Sequence, residues 1–382
     1  MSSDPAALSP AEGQRYSRHL VLPEVGRDGQ RKLKVSSALV VGVGGLGSPA
    51  AVYLASAGVG RIGLVDDDVV SLPNLQRQFL FSEADVGRKK VEAAAKRLAL
   101  TNPYVKVEPH DIHLNSDNAL EVIKKYDLVI DATDNLPSRY LVNDACVLLG
   151  KPDVYASVLG FDGQASVFWA PQGPCYRCLF PRPPPPGEVK SCEDAGVLGM
   201  LPGVMGSLQA VQAIQLLLGK GSPLVGRLLV FNGLETSFDE VRTKKGPACP
   251  VCGPSPSITK LIDYEEFCGT KAKAAPVEFN ISPKELKAVL DGGRQLVLVD
   301  VREPFEYDIC HIEGSTLVPL GQLVKRKGEL DSNKETVVYC HVGVRSTQAV
   351  GFLRREGFKN VRNLSGGIDA WSTQVDPKTP RY

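Results

Sequence analysis

The 382-residue sequence has almost no net charge, no long apolar run and no export signal, and each absence removes a class of function. It has 44 Lys and Arg against 43 Asp and Glu, a formal net charge of +1. The bulk field that would gather nucleic acid or an acidic membrane is therefore missing. No uninterrupted apolar stretch is long enough to span a bilayer. Met1 to Pro10 lack the basic and apolar regions of a secretory signal, so the expected location is cytoplasmic. Nine cysteines, an odd number without an export signal, favour metal ligation and thiol chemistry over a disulfide framework. The apolar share of 43% is ordinary for a globular protein, and the length predicts two or three domains.

What is present centres on Val40-Val41-Gly42-Val43-Gly44-Gly45-Leu46-Gly47. The apolar run Ala38 to Val43 predicts a buried parallel strand, and Ser48 to Ala57 a helix of small residues. Gly42, Gly44 and Gly47 give the G-x-G-x-x-G spacing. One glycine makes the tight turn, one lets backbone approach a phosphate, and one lets helix pack on strand. The helix N-terminus then offers unsatisfied N–H groups to an anion. A second strand, Arg61 to Val65, ends at Asp66, placed to hydrogen-bond a ribose hydroxyl. The pattern predicts an adenine nucleotide without saying which; a glycine turn with no ligand is the bland alternative.

Other residues are open at this level. Ser9 to Lys34, with Arg15-Tyr16-Ser17-Arg18-His19, reads as a surface helix outside the sheet core. Arg77 and Lys90, the latter near the start of a helix to about Leu100, are either cations for a polyphosphate or ordinary solvated side chains. Leu128 to Ile130 predicts a short buried strand ending in Asp131-Ala132-Thr133-Asp134-Asn135. A carboxylate there suits Mg²⁺ bridging phosphates. Equally, Asp134 or Asn135 can simply cap the helix Arg139 to Leu149.

Cys175-x-x-Cys178 and Cys249-x-x-Cys252 are two knuckles from distant parts of the chain. Four such thiolates make a tetrahedral structural Zn²⁺ site that ties a late segment to an earlier one. A redox C-x-x-C needs only one pair, and an iron–sulfur cluster is the other alternative. Between the knuckles, the prolines Pro183 to Pro186 exclude helix and ladder, which predicts an exposed loop carrying Cys192. Exposure makes Cys192 a candidate nucleophile, although Glu193 and Asp194 oppose a lowered pKa.

Residues 254–275 read as a linker, dividing the chain into domains 1–253 and 276–382. The second is a small α/β domain by length. Ser282-Pro283-Lys284-Glu285 is a capping box opening a helix to Leu290. Strands are expected at Leu296 to Val299, ending at Asp300, and at Val337 to Tyr339, ending at Cys340. The loop His341 to Ser346 then leads into a helix to about Glu356. A thiol at a strand end, facing loop amides and a helix N-terminus with Arg345 beside it, is placed to be a stabilised thiolate. A buried inert cysteine is the alternative.

Together these segments carry a resemblance. Residues from about Arg15 to Gly253 resemble the bacterial ubiquitin-activating-like (MoeB/ThiF/HesA) adenylyltransferases. The carrying segments are Gly42 to Gly47, Ser71-Leu72-Pro73-Asn74-Leu75-Gln76-Arg77-Gln78, Asp131 to Asn135 and the two cysteine knuckles. Residues from about Pro276 to Trp371 resemble a rhodanese domain, through Leu298 to Glu303, Cys340 with its loop, and Asn363 to Trp371. The fusion is similar to the MoeZ-type adenylyltransferase/sulfurtransferases. The implied fold is α/β throughout: a Rossmann-like ATP-binding domain with a structural zinc site, then a small rhodanese domain.

The resemblance implies ATP rather than NAD, with Mg²⁺ and Zn²⁺. By motif match, Gly45, Asp66, Asn74, Leu75, Gln76, Arg77, Lys90, Asp134 and Asn135 are nucleotide or Mg²⁺ contacts. Arg18 matches an arginine donated by the other subunit, which implies a homodimer with shared sites. Cys192 matches the crossover-loop cysteine and Cys340 the persulfide-bearing residue, with Arg345 in its loop. The loop Cys340 to Arg345 departs from the common small-residue rhodanese loop. The implied substrate is a small ubiquitin-like sulfur carrier ending in Gly-Gly, and the donor thiosulfate or a cysteine desulfurase persulfide. The carrier carboxylate attacks the α-phosphorus of MgATP; the Cys340 persulfide attacks the acyl-adenylate; reduction by Cys192 is expected to release a thiocarboxylate. Molybdopterin, thiamine, cysteine and tRNA-thiolation routes all use such carriers. Two other readings stand beside this one. They are an NAD-dependent oxidoreductase with an appended sulfurtransferase, and a zinc-stabilised scaffold that binds ubiquitin-like proteins without activating them.

Overall fold

A computed structural model describes residues 4–184, 196–269 and 279–381. The chain divides into two compact units, Met1–Lys271 and Ala272–Tyr382.

In the first unit, β1 (Ser37–Val41) is buried on both faces, as its unbroken apolar sequence requires. Ala38 and Val40 point into one apolar cluster, Leu39 and Val41 into another on the opposite side. Around it lie β2 (Arg61–Val65), β3 (Lys106–His110), β4 (Leu128–Asp131), β5 (Asp153–Leu159), β6 (Asp162–Phe168), β7 (Arg227–Asn232) and β8 (Ser237–Arg242). The eight strands run in the order β3-β2-β1-β4-β5-β6-β7-β8. The first five are parallel, and β6, β7 and β8 continue antiparallel. Val41 pairs with Val65 on β2 and with Asp131 on β4, so three strands end at one level. The turns that follow them therefore share one sheet edge, where ligands bind in doubly wound folds.

The helix Gly47–Ala57 packs against the helix Met200–Leu218, which covers the same sheet face. The latter has 19 residues and a mean hydropathy of 1.3, so by length and composition alone it could cross a membrane. It is not an uninterrupted apolar run: Ser207, Gln209, Gln212 and Gln215 break it. Gln209, fully buried, donates its amide to the carbonyls of Asp131 (2.7 Å) and Val154 (2.8 Å), joining helix to sheet.

The stretch read as a linker is in part core. Leu261, Ile262, Tyr264, Phe267 and Cys268 join the apolar cluster beside the helix Leu136–Leu149. The Tyr264 hydroxyl donates to Asp144 (2.9 Å), which also holds Arg177 through two bonds of 2.8 Å. The Arg177 guanidinium lies 4.7 Å from the centre of the Tyr140 ring and 4.4 Å from that of Phe267. A buried guanidinium needs its partner and its ring contacts; the late segment supplies one ring, Phe267, and through Tyr264 a donor to the partner carboxylate.

The second unit has a parallel sheet in the order β11-β10-β12-β13-β9, formed by β9 (Asn280–Ile281), β10 (Val297–Asp300), β11 (Thr316–Leu317), β12 (Thr336–Tyr339) and β13 (Val361–Leu364). An apolar cluster covers each face. The Ser282–Glu285 capping box forms and opens the helix Pro283–Asp291. Asp300, the last residue of β10, and Arg302 just after it make a fully buried ion pair.

Candidate active site

The expected strand Ala38 to Val43 ends two residues early because Gly42 turns the chain with φ +89°. A side chain at Gly42 would meet the Ala132 carbonyl at 2.7 Å, and one at Gly47 would lie 1.9 Å from the Gly42 carbonyl. Both glycines are thus required by close approach, one for the turn and one for the helix that follows.

At the shared edge this turn forms a cleft of about 350 Å³. Gly45, Asp66, Arg77, Lys90, Asp134 and Asn135 line it together. Asp66 accepts from the Val43 amide (2.8 Å) and the Asp68 amide (3.0 Å), tying the end of β2 to the glycine turn. Burial pushes the Asp66 carboxyl above the usual range, and Lys90 opposes that shift. Lys90 is buried, not solvated, with its ammonium 2.7 Å from Asp68 and 4.0 Å from Asp66. Arg77 is half-buried and donates to the Pro73 carbonyl (3.3 Å).

Asn135 caps the helix Leu136–Leu149, accepting from the Ser138 amide at 2.9 Å. Asp134 beside it is exposed and is left facing the cleft. Asn74, Leu75 and Gln76 are not among the lining residues. The Asn74 carbonyl accepts from the amides of Arg77 (3.1 Å) and Gln78 (3.0 Å), so this turn presents the two residues that do line the cleft. Arg18 is exposed on the helix Ser17–Leu20 and does not line the cleft of its own chain.

Several lining residues were not singled out by sequence. Gln78 is 4% exposed and its amide oxygen has no partner among the described residues. Its position directly after Arg77 was the available signal. His113 also lines the cleft, 3.2 Å from Asp67, and Thr133 and Ser138 complete its far side.

The four knuckle cysteines come together. Cys175 and Cys178 sulfurs are 3.8 Å apart, Cys175 and Cys249 3.5 Å, and Cys178 and Cys252 3.4 Å. Tetrahedral ligation at a zinc–sulfur distance of about 2.3 Å places sulfurs about 3.8 Å apart. The cluster is compatible with zinc, and none of its cysteines lines the cleft. Cys192 lies outside the described residues.

In the second unit Cys340 follows β12 and is 1% exposed. Its sulfur lies 3.1 Å from the Gly343 amide and 3.3 Å from the Ser346 hydroxyl. Gly343 opens the helix Val344–Arg355, so the sulfur faces that helix's start. Arg345, expected to lend its charge to the thiol, is held by Glu306 through bonds of 2.7 and 2.8 Å. That pair cancels most of its charge and fastens the loop to the helix Pro304–Ile309. Ser346, which sequence reasoning passed over, brings its hydroxyl to the sulfur.

The ThiF family matches residues 16–251 and the rhodanese-like domain residues 282–374. "Probable adenylyltransferase/sulfurtransferase MoeZ" of Mycobacterium tuberculosis is 46% identical, over 99% of this chain and 97% of its own length. "Adenylyltransferase and sulfurtransferase MOCS3" of Mus musculus is 44% identical, over 99% of this chain and 89% of its own. Among solved structures, E. coli MccB with ATP is similar, with a TM-score of 0.57 and 25% identity, over 66% of this chain and 77% of that one.

Proposed function

Because the chain belongs to the ThiF family and carries a rhodanese-like domain behind it, we propose that it activates a small ubiquitin-like sulfur carrier at its C-terminal Gly-Gly carboxylate and then sulfurates it. The chain is an adenylyltransferase and a sulfurtransferase. The observation that carries the substrate reading is the convergence of Arg77 and Lys90 with Asp66 and Asp134 in one cleft. Two cations beside a glycine turn suit a polyphosphate, and a hydride-transfer site has no use for them.

The glycine turn with Gly45 faces the phosphates, and Asp66 takes the ribose. Asn74, Leu75 and Gln76 hold the segment that presents Arg77. Asp134, with Asn135, holds Mg²⁺, which supplies charge neutralisation on the phosphates. A carrier carboxylate oxygen bonds to the α-phosphorus, the bond to the bridging oxygen breaks, and pyrophosphate leaves. Arg77 and Lys90 offset the charge that develops, positioned before the reaction starts. Arg18 comes from a partner copy in a homodimer; its exposure away from its own cleft supports this.

Cys340 accepts sulfur from thiosulfate or a cysteine desulfurase persulfide, and its loop amide and Ser346 hold the anion. The terminal sulfur then bonds to the acyl carbon and AMP leaves, giving an acyl disulfide. A Cys192 thiolate attacks the Cys340 sulfur, releasing the carrier thiocarboxylate and leaving a Cys192–Cys340 disulfide. Adenylation belongs to residues 1–253 and sulfur transfer to 276–382. Zn²⁺ on Cys175, Cys178, Cys249 and Cys252 is structural. Among the described residues no two cysteines are joined in a disulfide, which suits the cytoplasm.

The test is carrier-dependent exchange of pyrophosphate into ATP, followed by intact mass of the carrier after addition of a sulfur donor. Exchange with a replacement of one oxygen by sulfur is the expected result. ATP turnover that ignores every Gly-Gly protein of the same genome would refute the reading.

A further inference from the structure

Behind Cys340 stand two asparagines that the sulfur chemistry above does not use. Asn363 on β13 pairs with Val338 of β12, two residues before Cys340, and on its other side with Asn280 of the edge strand β9. Its amide nitrogen donates to Asn280 Oδ1 at 2.9 Å, which turns its own oxygen towards Ser346. That oxygen lies 2.6 Å from the Ser346 hydroxyl, and the same hydroxyl lies 3.3 Å from the Cys340 sulfur. Ser346 and Asn363 are both buried.

A serine hydroxyl has one proton, so it cannot donate to Asn363 and to Cys340 together. An amide oxygen at 2.6 Å is the nearer acceptor, and a better one than sulfur at 3.3 Å. With the proton on the Asn363 side, a lone pair of Ser346 Oγ faces the sulfur. That arrangement suits a thiol, which donates its S–H. A thiolate has no proton to give. It meets a lone pair unless the hydroxyl turns towards it, and turning leaves Asn363 Oδ1 buried and unpaired. The Gly343 amide, 3.1 Å from the sulfur, donates to either form, so the difference between them falls on Ser346.

We propose that Asn363 is a positioning residue for sulfur acceptance: it holds the Ser346 proton away from Cys340 and thereby sets how readily the sulfur acts as an anion. This rests on the reading of Cys340 as the sulfur acceptor given above. In that step the Cys340 thiol proton passes to water and the thiolate bonds to the outer sulfur of thiosulfate. The bond between the two thiosulfate sulfurs breaks, and sulfite leaves with its electron pair. A hydroxyl free to donate stabilises the attacking anion, and a hydroxyl committed to Asn363 does not.

The test is persulfide formation by the full chain with thiosulfate, timed by intact mass as the gain of one sulfur that Cys340→Ala lacks. Asn363→Leu is close in size and lacks the acceptor, so the rate constant should rise about tenfold, as for one hydrogen bond gained by an anion. Asn363→Asp puts a charged, stronger acceptor in the same place, and the rate constant should fall about tenfold. A residue needed only for packing would lower the rate in both variants. In the Ser346→Ala background the contested proton is gone, and Asn363→Leu should then bring no gain. The inference is overturned by a rate that Asn363→Leu leaves unchanged or lowers, by one that Asn363→Asp does not lower, or by a gain that persists without the Ser346 hydroxyl. Should Asn363→Leu melt early, Asn280→Ala at the sheet edge frees the Asn363 amide to turn, and its rate is judged by the same criteria. Wild-type chain that gains no sulfur on Cys340, from thiosulfate or from a cysteine desulfurase persulfide, refutes the sulfur-acceptor reading itself, a result distinct from all of these.

Discussion

Asp153 should make the protein less stable as pH rises from acid towards neutral, and its removal should reverse this. It lies on β5 opposite Val129 of β4, 1% exposed, with no partner for either carboxylate oxygen among the described residues. Burial pushes its carboxyl well above the usual range, and the neighbouring Asp131 adds to the shift. Asp131, also raised by burial, accepts from the Thr133 amide (3.0 Å) and hydroxyl (2.6 Å). Those donors favour the ionised form of Asp131, so the proton of the pair sits on Asp153. The unfolded chain ionises Asp153 near pH 4, whereas the folded chain keeps its proton. Stability from this group is therefore full below about pH 4 and is lost as pH rises towards the folded pKa. Across that window each pH unit costs about 1.4 kcal/mol. Asp153→Asn removes the titration, so urea unfolding should show the variant gaining on wild type by that slope. Asp153→Leu should gain a further ~1–3 kcal/mol, since no buried polar group is left unpaired. His110, whose pKa burial lowers, has the opposite slope, but both proteins share it and the difference cancels it. A stability difference flat between pH 5 and 7 would refute the reasoning, because Asp153 would then carry the same charge folded and unfolded.

Three further outcomes are expected. Cys249→Ser should lose stoichiometric zinc and several kcal/mol of stability, read by metal analysis and thermal melting; full zinc with unchanged melting would remove the structural-metal assignment. Arg18→Ala and Asp134→Ala homodimers should each be nearly inactive, yet mixing them should restore some pyrophosphate exchange, since a mixed dimer has one site with neither lesion. No recovery, with subunit exchange shown separately, would place Arg18 within its own chain's chemistry or outside it altogether. Cys340→Ala should keep carrier-dependent exchange and lose thiocarboxylate formation, with partial rescue by concentrated sulfide; loss of exchange in a folded variant would mean that the two activities are not separable.

Much of the fold was legible because its signals are local. The glycine turn, the apolar runs of β1 and β4 and the Ser282–Glu285 box each lie within a few residues of the structure they specify. The antiparallel strands β6 to β8 were not anticipated. β8 is almost wholly exposed and alternates weakly, so its sequence has no buried face to announce. The linker was drawn too early because Gly253 to Ser257 read as flexible. Leu261, Tyr264 and Phe267 follow at helical spacing, but over too few residues to stand out.

The candidate site was legible where one motif supplied neighbours, and obscure where the sheet brought strangers together. Asp66 and Asp134 follow strands that sequence could place, and the register of β1, β2 and β4 brings those strand ends together; Lys90 opens a helix that was also expected, and the cleft gathers all three with Arg77. His113 comes from beyond β3, an edge strand reading Lys106-Val107-Glu108-Pro109-His110, whose polarity hides that it is a strand at all. Arg345 shows the same limit at the other centre. Its position beside Cys340 argued for a charge on sulfur, but Glu306, 39 residues earlier, takes the guanidinium. Among the described residues the groups bonded to the thiol are the Gly343 amide and the Ser346 hydroxyl, neither with a formal charge, and the hydroxyl also bonds Asn363 at 2.6 Å. Sulfur chemistry at Cys340 should accordingly depend more on the loop's backbone geometry than on Arg345 as a cation. Arg345→Lys, which keeps the charge but breaks the bidentate pair with Glu306, is the substitution that would tell those two contributions apart.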